Sequence, residues 1–167
     1  PKMGFGPPLP LGMTGEAEYV DLQLTEPYEK DLVPTLRAVL PRGLWIIQAK
    51  PIFGKAESLF AIINLAEYEV DLSGLDDNLR LEECIDTFLQ KDQILVEQKL
   101  KDKRRPINLR AFVSTLELET FDGKPILRMR LKIGPQGTVR PTEVIENLLE
   151  LPPGESSLLP THRSGLY

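Results

Sequence analysis

The densest group of cationic side chains could contact phosphate. It consists of Lys99, Lys101, Lys103, Arg104 and Arg105. Contacts of Lys and Arg with phosphates provide most of the non-specific affinity of proteins for nucleic acids. A solvated hairpin tip would carry the same residue types, so both interpretations stay open.

The distribution of charge along the chain favours neither interpretation alone. Residues 99–140 hold eleven Lys or Arg and four Asp or Glu, a net of +7, whereas the whole chain has a net charge of −5. This balance excludes a uniformly basic nucleic-acid binder. A basic patch can still concentrate polyanions on an acidic protein, or the opposite charges can neutralise each other in the fold.

A second cationic group alternates with apolar residues, as in a strand that buries one face. It consists of Arg128, Arg130 and Lys132, and Asp122-Gly123 just before it is a strong hairpin-turn signal. A two-residue turn there places Glu117 opposite Arg128 and no acid opposite the other two cations. We therefore expect Glu117 to neutralise Arg128 and expect Arg130 and Lys132 to be available to an anion.

The connection after this strand contains Gly134, Gly137 and Arg140, and Pro141 then begins a helix. Glycines allow a backbone to approach an anion closely, and the free amides of a helix start can bind one. A tight connection that needs glycine for its dihedral angles would look the same. Together these groups predict an anion-binding or nucleic-acid-binding face of nine residues: Lys101, Lys103, Arg104, Arg105, Arg130, Lys132, Gly134, Gly137 and Arg140.

No set of residues has the spacing of a catalytic site. The single cysteine, Cys84, lies on the apolar side of a predicted helix, and the single histidine, His162, lies near the end of the chain. One cysteine and one histidine exclude an internal disulfide, an all-cysteine metal cage and a histidine-only zinc site. We expect no catalytic residue, no metal site and no cofactor in this chain.

The apolar periodicity predicts an α+β fold. Helices are expected at residues 28–40, 81–89 and 141–149, and the last of them should bury Val144, Ile145, Leu148 and Leu149. Strands are expected at residues 16–24, 44–49, 67–72 and 94–100, followed by the hairpin. The order approaches two ferredoxin-like (split βαβ) units in tandem. The predicted division is an incomplete first unit at 1–60, which lacks its opening strand and helix, a second unit at 61–155, and a C-terminal tail at 156–167.

The first 15 residues are rich in Pro and Gly, as in a packed loop or a polyproline-like segment. No apolar run reaches the roughly 18 residues that a membrane span needs, and no charged-then-apolar leader opens the chain. We therefore expect a cytoplasmic protein that does not bind a membrane.

Three segments resemble a known family. They are residues 1–12 (PKMGFGPPLPLG) with 15–21 (GEAEYVD), residues 66–70 (AEYEV) and residues 134–141 (GPQGTVRP). The chain is similar over nearly its whole length to the radical-SAM-associated domain of unknown function. That domain occurs alone or at the C-terminus of cobalamin-binding radical-SAM proteins in bacteria.

The resemblance implies a partner and locates its cofactors. Members of the family begin with a strand and an Arg-rich helix before the segment that matches Pro1, and the three-cysteine cluster motif of a radical-SAM core is absent here. An iron–sulfur cluster, S-adenosylmethionine and cobalamin would therefore belong to a radical-SAM part outside these residues, in cis or in trans.

The expected function is that of a non-catalytic accessory domain of a radical-SAM system, which presents RNA or a ribonucleoprotein through its basic face. Two alternatives remain open. One is a protein-interaction module that docks on the radical-SAM core. The other is an RNA-processing enzyme built on paired ferredoxin-like folds, which rests on fold analogy.

Overall fold

The computed structural model describes residues 2–28, 31–76, 79–100, 103–134 and 137–167. Its strands are β1 Lys2–Phe5, β2 Thr14–Gly15, β3 Val20–Gln23, β4 Leu65–Asp71, β5 Leu95–Leu100, β6 Lys103–Asn108, β7 Val113–Phe121, β8 Lys124–Gly134, β9 Gly137–Thr138 and β10 Thr161–Leu166. Its helices are α1 Leu32–Arg37, α2 Leu59–Ile62, α3 Leu81–Gln90 and α4 Pro141–Leu148, with 3-10 turns at Leu109–Phe112 and Glu155–Leu158.

The main sheet has the strand order β2-β10-β4-β8-β7, and β9 adds to β8. The pairings of β10 with β4, β4 with β8 and β8 with β7 are antiparallel, and β2 lies parallel to β10. The protein is therefore an α+β protein, as the sequence predicts. The succession β4-α3-β7-β8-α4-β10 is compatible with the β-α-β-β-α-β order of a ferredoxin-like unit, with β5 and β6 inserted as a separate hairpin. The tandem arrangement of two such units stays a prediction.

The expected C-terminal tail is instead partly a strand of the main sheet. Residues 161–166 form β10, which lies between β2 and β4. The sequence pattern hides this strand because its most deeply buried large side chain is an arginine, Arg163. The register also shifts between Arg163 and Gly165, which breaks the two-residue alternation.

The core lies between one face of the sheet and the helices. Alternate residues of β4 and β8 point into it, namely Ala66, Tyr68, Val70, Leu127, Met129 and Leu131. Helix α3 adds Ile85 and Phe88, and α4 adds Val144, Ile145 and Leu148, with Leu149 following it. The predicted inner face of the last helix is confirmed, because its apolar residues recur at helical spacing.

The β7–β8 hairpin has the predicted register. Glu117 lies opposite Arg128, Leu118 opposite Leu127, and Leu116 opposite Met129. Asp122 and Gly123 both have positive φ, of 50° and 77°, as a type I′ turn requires. Local turn chemistry and alternation were sufficient to fix this pairing.

Two predicted elements of the first third differ from the structure. Helix α1 covers only residues 32–37, and residues 44–49 form no strand although they are apolar. Leu44, Trp45 and Ile47 are exposed, and no neighbouring strand offers them hydrogen bonds within the described residues. An apolar run without a pairing partner does not form a sheet strand. In the described part of the chain, no helix has the length and apolar character to cross a membrane.

Candidate functional site

The structure places the residues of the predicted basic face in different surroundings, where some of them form ion pairs and others do not. Lys101 lies outside the described residues, and Lys103 begins strand β6. Arg104 lies next in β6 and forms an ion pair of 3.4 Å with Glu97 across the hairpin. Both side chains are largely exposed, so this pair is weak.

The expectation that no acid lies opposite Arg130 is wrong, whereas anion binding by Arg130 stays a prediction. Its Nε lies 2.5 Å from Oε2 of Glu67, and this carboxylate raises the pKa of the guanidinium. Glu67 lies directly opposite Arg130 in the β4–β8 ladder. The hairpin turn determines only the register of β7 with β8, whereas β4 pairs with the other edge of β8.

The same strand supplies a partner for Arg128. The Arg128 guanidinium donates to Glu69 at 2.8 Å and to Glu119 at 3.1 Å rather than pairing with Glu117. The hydrogen bond that Arg128 donates to Glu69 is the main reason that the pKa of Arg128 is raised. On the open face of the sheet, glutamates thus neutralise Arg128 and Arg130.

Three predicted cations have no ion pair with any described residue: Arg105, Lys132 and Arg140. They lie around the C-terminal end of β8, where β9 turns back to pair Thr138 with Ile133 and Gly137 with Gly134. All three side chains are exposed. We call Arg105, Lys132 and Arg140 the cationic end.

The two glycines of this connection have a structural role. The φ of Gly137 is 140°, and a Cβ there would lie 3.2 Å from both Nη2 of Arg105 and Cζ of Phe112. Gln98 donates from Nε2 to the carbonyl of Thr138 at 2.9 Å, which ties the β5–β6 hairpin to β9. Glycine is therefore needed for the backbone angle and for the close approach of Arg105. Anion binding by Gly134 and Gly137 stays a prediction.

A cleft of about 590 Å³ lies beside this connection. One wall is the proline-rich segment 7–11, and the other comprises Ile133, Gly134 and residues 138–142. Ile63, Tyr68 and Arg163 also line the cleft, with Phe60 and Ser157. The two walls are far apart in sequence, so no local motif could reveal the cleft.

Arg163 holds the proline-rich wall in place. Its side chain is 1% exposed and donates from Nη2 to the carbonyl of Pro7 at 2.9 Å and from Nη1 to that of Pro8 at 3.3 Å. The guanidinium also forms a two-pronged ion pair with Glu18, with Nε 2.7 Å from Oε1 and Nη2 in contact with Oε2. Sequence reasoning missed Arg163 because it lies in the segment taken as a tail.

Burial and hydrogen bonding together shift the pKa values of Arg163 and Tyr68. Burial opposes the charge of Arg163, but hydrogen bonds to Glu18 and Tyr68 outweigh it and raise the pKa of the guanidinium. Burial likewise raises the pKa of the Tyr68 phenol, although Arg163 partly opposes that shift. At neutral pH the wall of the cleft is thus held by a charged arginine and a neutral phenol.

The described residues contain no group of three or more His, Cys, Asp or Glu that could hold a metal ion. Nδ1 of His162 lies 2.8 Å from Oγ1 of Thr14, across the β2–β10 pair. Cys84 is partly buried at the edge of the core. His162 therefore contacts strand β2, and Cys84 packs against the core.

The first part of the chain has an unusual distribution of apolar side chains. Every buried hydrophobic residue described lies at or after Ile63, whereas sixteen of the twenty exposed large hydrophobics lie within residues 3–62. Among the described residues, strands β1 and β3 pair only with each other; they carry four of these side chains, and Tyr19 and Leu24, next to β3, add two more. We call these six, together with the exposed run that follows α1, the apolar surface: Met3, Phe5, Tyr19, Val20, Leu22, Leu24, Leu44, Trp45, Ile47, Ile52 and Phe53.

Comparison with known proteins gives a family without an assigned activity. The family model described as an uncharacterized protein conserved in bacteria, DUF2344, matches residues 1–141. No curated protein matches the chain, and no solved structure does.

Proposed function

We propose, from the premise that this chain belongs to the uncharacterized bacterial family DUF2344, that it is a non-catalytic accessory module that docks on a protein partner through its apolar surface. The resemblance of residues 1–12, 15–21 and 134–141 to the radical-SAM-associated domain supports a radical-SAM core as that partner, in cis or in trans. The cluster and cofactors of the reaction would then belong to the partner.

The observation that carries this proposal is the contrast between the two parts of the chain. Residues 63–167 bury a continuous core, and residues 2–62 bury no hydrophobic side chain among those described. Exposed apolar patches of more than a few hundred Å² mark interaction sites. A stable interface covers about 800 Å² on each partner, and the proposal is that the eleven exposed apolar side chains together supply this area.

In the part of the chain that the structure describes, the open side of the main sheet is not an apolar face of this kind. It carries the ion pairs of Arg128 and Arg130 with Glu69, Glu119 and Glu67. Self-neutralised charges of this kind keep a surface in water at little cost and give it no net attraction for a polyanion.

Binding to a purified radical-SAM enzyme of the same organism tests the proposal, with two phenylalanines as a matched pair. Phe5 lies on the apolar surface and is 65% exposed, and Phe121 lies at the end of β7 and is 68% exposed. We expect Phe5→Asp to weaken binding at least about tenfold, because a carboxylate must be desolvated at the interface. Phe121→Asp should leave the Kd within about twofold.

Two results would refute the proposal. One is an enzyme that the unaltered chain does not bind at all. The other is an equal loss of affinity in both variants, which would show that the added charge acts irrespective of position. Circular dichroism of both variants verifies that the core stays folded.

The cationic end favours a second candidate function, RNA binding. Arg105, Lys132 and Arg140 have no ion pair among the described residues, and they surround one end of β8. An accessory module that presents RNA to a radical-SAM core would place unpaired cations in this way.

The third alternative, an RNA-processing enzyme, stays an untested prediction, as does the cytoplasmic location.

The salt dependence of RNA affinity tests this second candidate. For a single strand, three phosphate contacts give a slope of log K against log [salt] of about −2. Arg105→Met or Arg140→Met should each reduce the slope by about 0.7. Arg80→Met is the control, because Arg80 is exposed and paired with Glu83 at 3.0 Å. A slope that Arg80→Met reduces as much would show that only net charge matters, and the RNA candidate would fail.

A further inference from the structure

The proposed docking function does not account for the cleft beside β9, because the protein partner would bind the apolar surface and not the cleft. Its volume of about 590 Å³ lies within the range of small-molecule sites. Two walls that are distant in sequence enclose it, and Arg163 fixes one of them by hydrogen bonds to Pro7 and Pro8. The cleft is thus a built feature of the fold and not a gap between loose loops.

The inside of the cleft is suited to a flat apolar group. Proline rings and Leu9 form one wall, and Ile133 and Val139 belong to the other. Tyr68 in the lining is buried and engaged with Arg163. A ring bound against these apolar residues would release the water that covers them.

The charge of the lining selects an anion. The described lining residues include two arginines, Arg140 and Arg163, and no Asp or Glu. Arg163 is occupied by Glu18 and two carbonyls. The nearest acid to Arg140 in sequence, Glu143, accepts instead from the Arg140 backbone N–H at 2.7 Å. The side chain of Arg140 is therefore left without a described ion partner.

The position of Arg140 sets the orientation of such a ligand. Arg140 is exposed, whereas Ile63 and Val139 are buried. A strongly hydrated group such as phosphate is cheapest to bind where it stays partly in water. The anionic group would lie at the rim beside Arg140, where Thr138 and Thr142 add hydroxyl donors, and the apolar ring would lie inside.

We propose that this cleft binds a phosphate monoester that carries a flat aromatic ring system, for which a nucleoside monophosphate is the probe. A phosphate monoester has three oxygens to accept from the Arg140 fork and the two threonine hydroxyls. The same chemistry occurs in a free nucleotide and at a 5′-phosphorylated end of RNA. The site needs no partner protein, so its failure and that of the docking proposal are distinguishable.

Titration of the isolated chain with adenosine 5′-monophosphate, followed by NMR, tests the proposal. We expect saturable shifts of the amides of Val139 and Thr142, and binding at least about tenfold weaker for adenosine and for inorganic phosphate. Arg140→Met should weaken the nucleotide about tenfold and leave adenosine unchanged. Lys132→Met removes a nearby cation that does not line the cleft, and it should change the affinity less than about twofold.

The results distinguish a free nucleotide from a 5′-phosphorylated RNA end as the ligand, and they can refute the proposed site. Tighter binding of a 5′-phosphorylated RNA than of its 5′-hydroxyl form, lost in Arg140→Met, would support the site with an RNA end as the source. Equal affinity for adenosine and the nucleotide would show that the phosphate contributes nothing to binding, and the proposed phosphate site at Arg140 would be wrong. No saturable shift at millimolar nucleotide, or equal losses in Arg140→Met and Lys132→Met, would overturn the proposal.

Discussion

At the scale of single residues, Arg163 is the side chain that connects the two parts of the protein. It lies in the sheet beside Tyr68 and reaches the proline-rich segment and Glu18. These hydrogen bonds satisfy a guanidinium that is almost completely buried. An unpaired charge at this position would be strongly destabilising.

Substitution of Arg163 by Met tests this role. We expect the free energy of unfolding to fall by about 3 kcal/mol, because the carbonyls of Pro7 and Pro8 lose their donor and a buried ion pair is lost. Arg163→Lys should restore only part of the loss, since an ammonium cannot reproduce the planar fork. Arg80→Met, in an exposed pair, should cost less than about 1 kcal/mol. Equal urea midpoints for Arg163→Met and Arg80→Met would contradict the role.

The buried phenol of Tyr68 predicts an alkaline loss of stability. Burial raises the pKa of Tyr68 in the folded protein, whereas in the unfolded chain it titrates near its ordinary value of about 10. The unfolded state therefore releases this proton first, and the free energy of unfolding falls as the pH rises above about 10. Urea unfolding between about pH 8 and 11 should show a shallower decline in Tyr68→Phe. Identical slopes for both proteins would refute this assignment.

At the scale of elements, the sequence predicts what local patterns determine. Helices α3 and α4 and the β7–β8 hairpin have strong periodicity and clear turn signals, and all three are confirmed. The β4 glutamates opposite Arg128 and Arg130 were missed because that register joins strands about 60 residues apart. Strand β10 was missed because a buried ion pair replaces the apolar alternation on which the prediction depends.

Two glycines with similar backbone angles test how the elements are coupled. Gly123 in the hairpin turn has φ 77°, Gly54 in the first part of the chain has φ 82°, and a Cβ at either would meet no atom within 4 Å. Gly123→Ala should lower the free energy of unfolding of the core by about 1 kcal/mol through left-handed strain. Gly54→Ala should leave the cooperative transition unchanged, because its surroundings contain no buried core. An equal loss in both variants would show that residues 2–62 unfold together with the core.

At the scale of the whole molecule, ion pairs within the fold neutralise part of the charge asymmetry of the sequence. Glu67 and Glu69, which lie outside the +7 segment, neutralise two of its arginines. Of the other described cations of this segment, Arg105, Lys132 and Arg140 form no ion pair, and Arg110 donates to backbone carbonyls. The cleft could not be predicted from the sequence, because its walls meet only when β10 and Arg163 are in place.

The distribution of exposed apolar side chains is the strongest indication that the protein binds a partner. The exposed hydrophobics of residues 3–62 contrast with the closed core of residues 63–167. An element with few buried apolar contacts opens at low free energy. A docking partner that covers it would supply the missing burial and slow that opening.

Hydrogen–deuterium exchange of the backbone amides, with and without the radical-SAM enzyme, tests this claim most directly. In the chain alone, amides of β1 and β3 should exchange close to the unprotected rate, while those of β4 and β8 are protected by the full stability of the core. Addition of the enzyme should slow β1 and β3 at least about tenfold. Protection of β1 and β3 equal to that of β4 in the chain alone, or no slowing with the enzyme, would contradict the account.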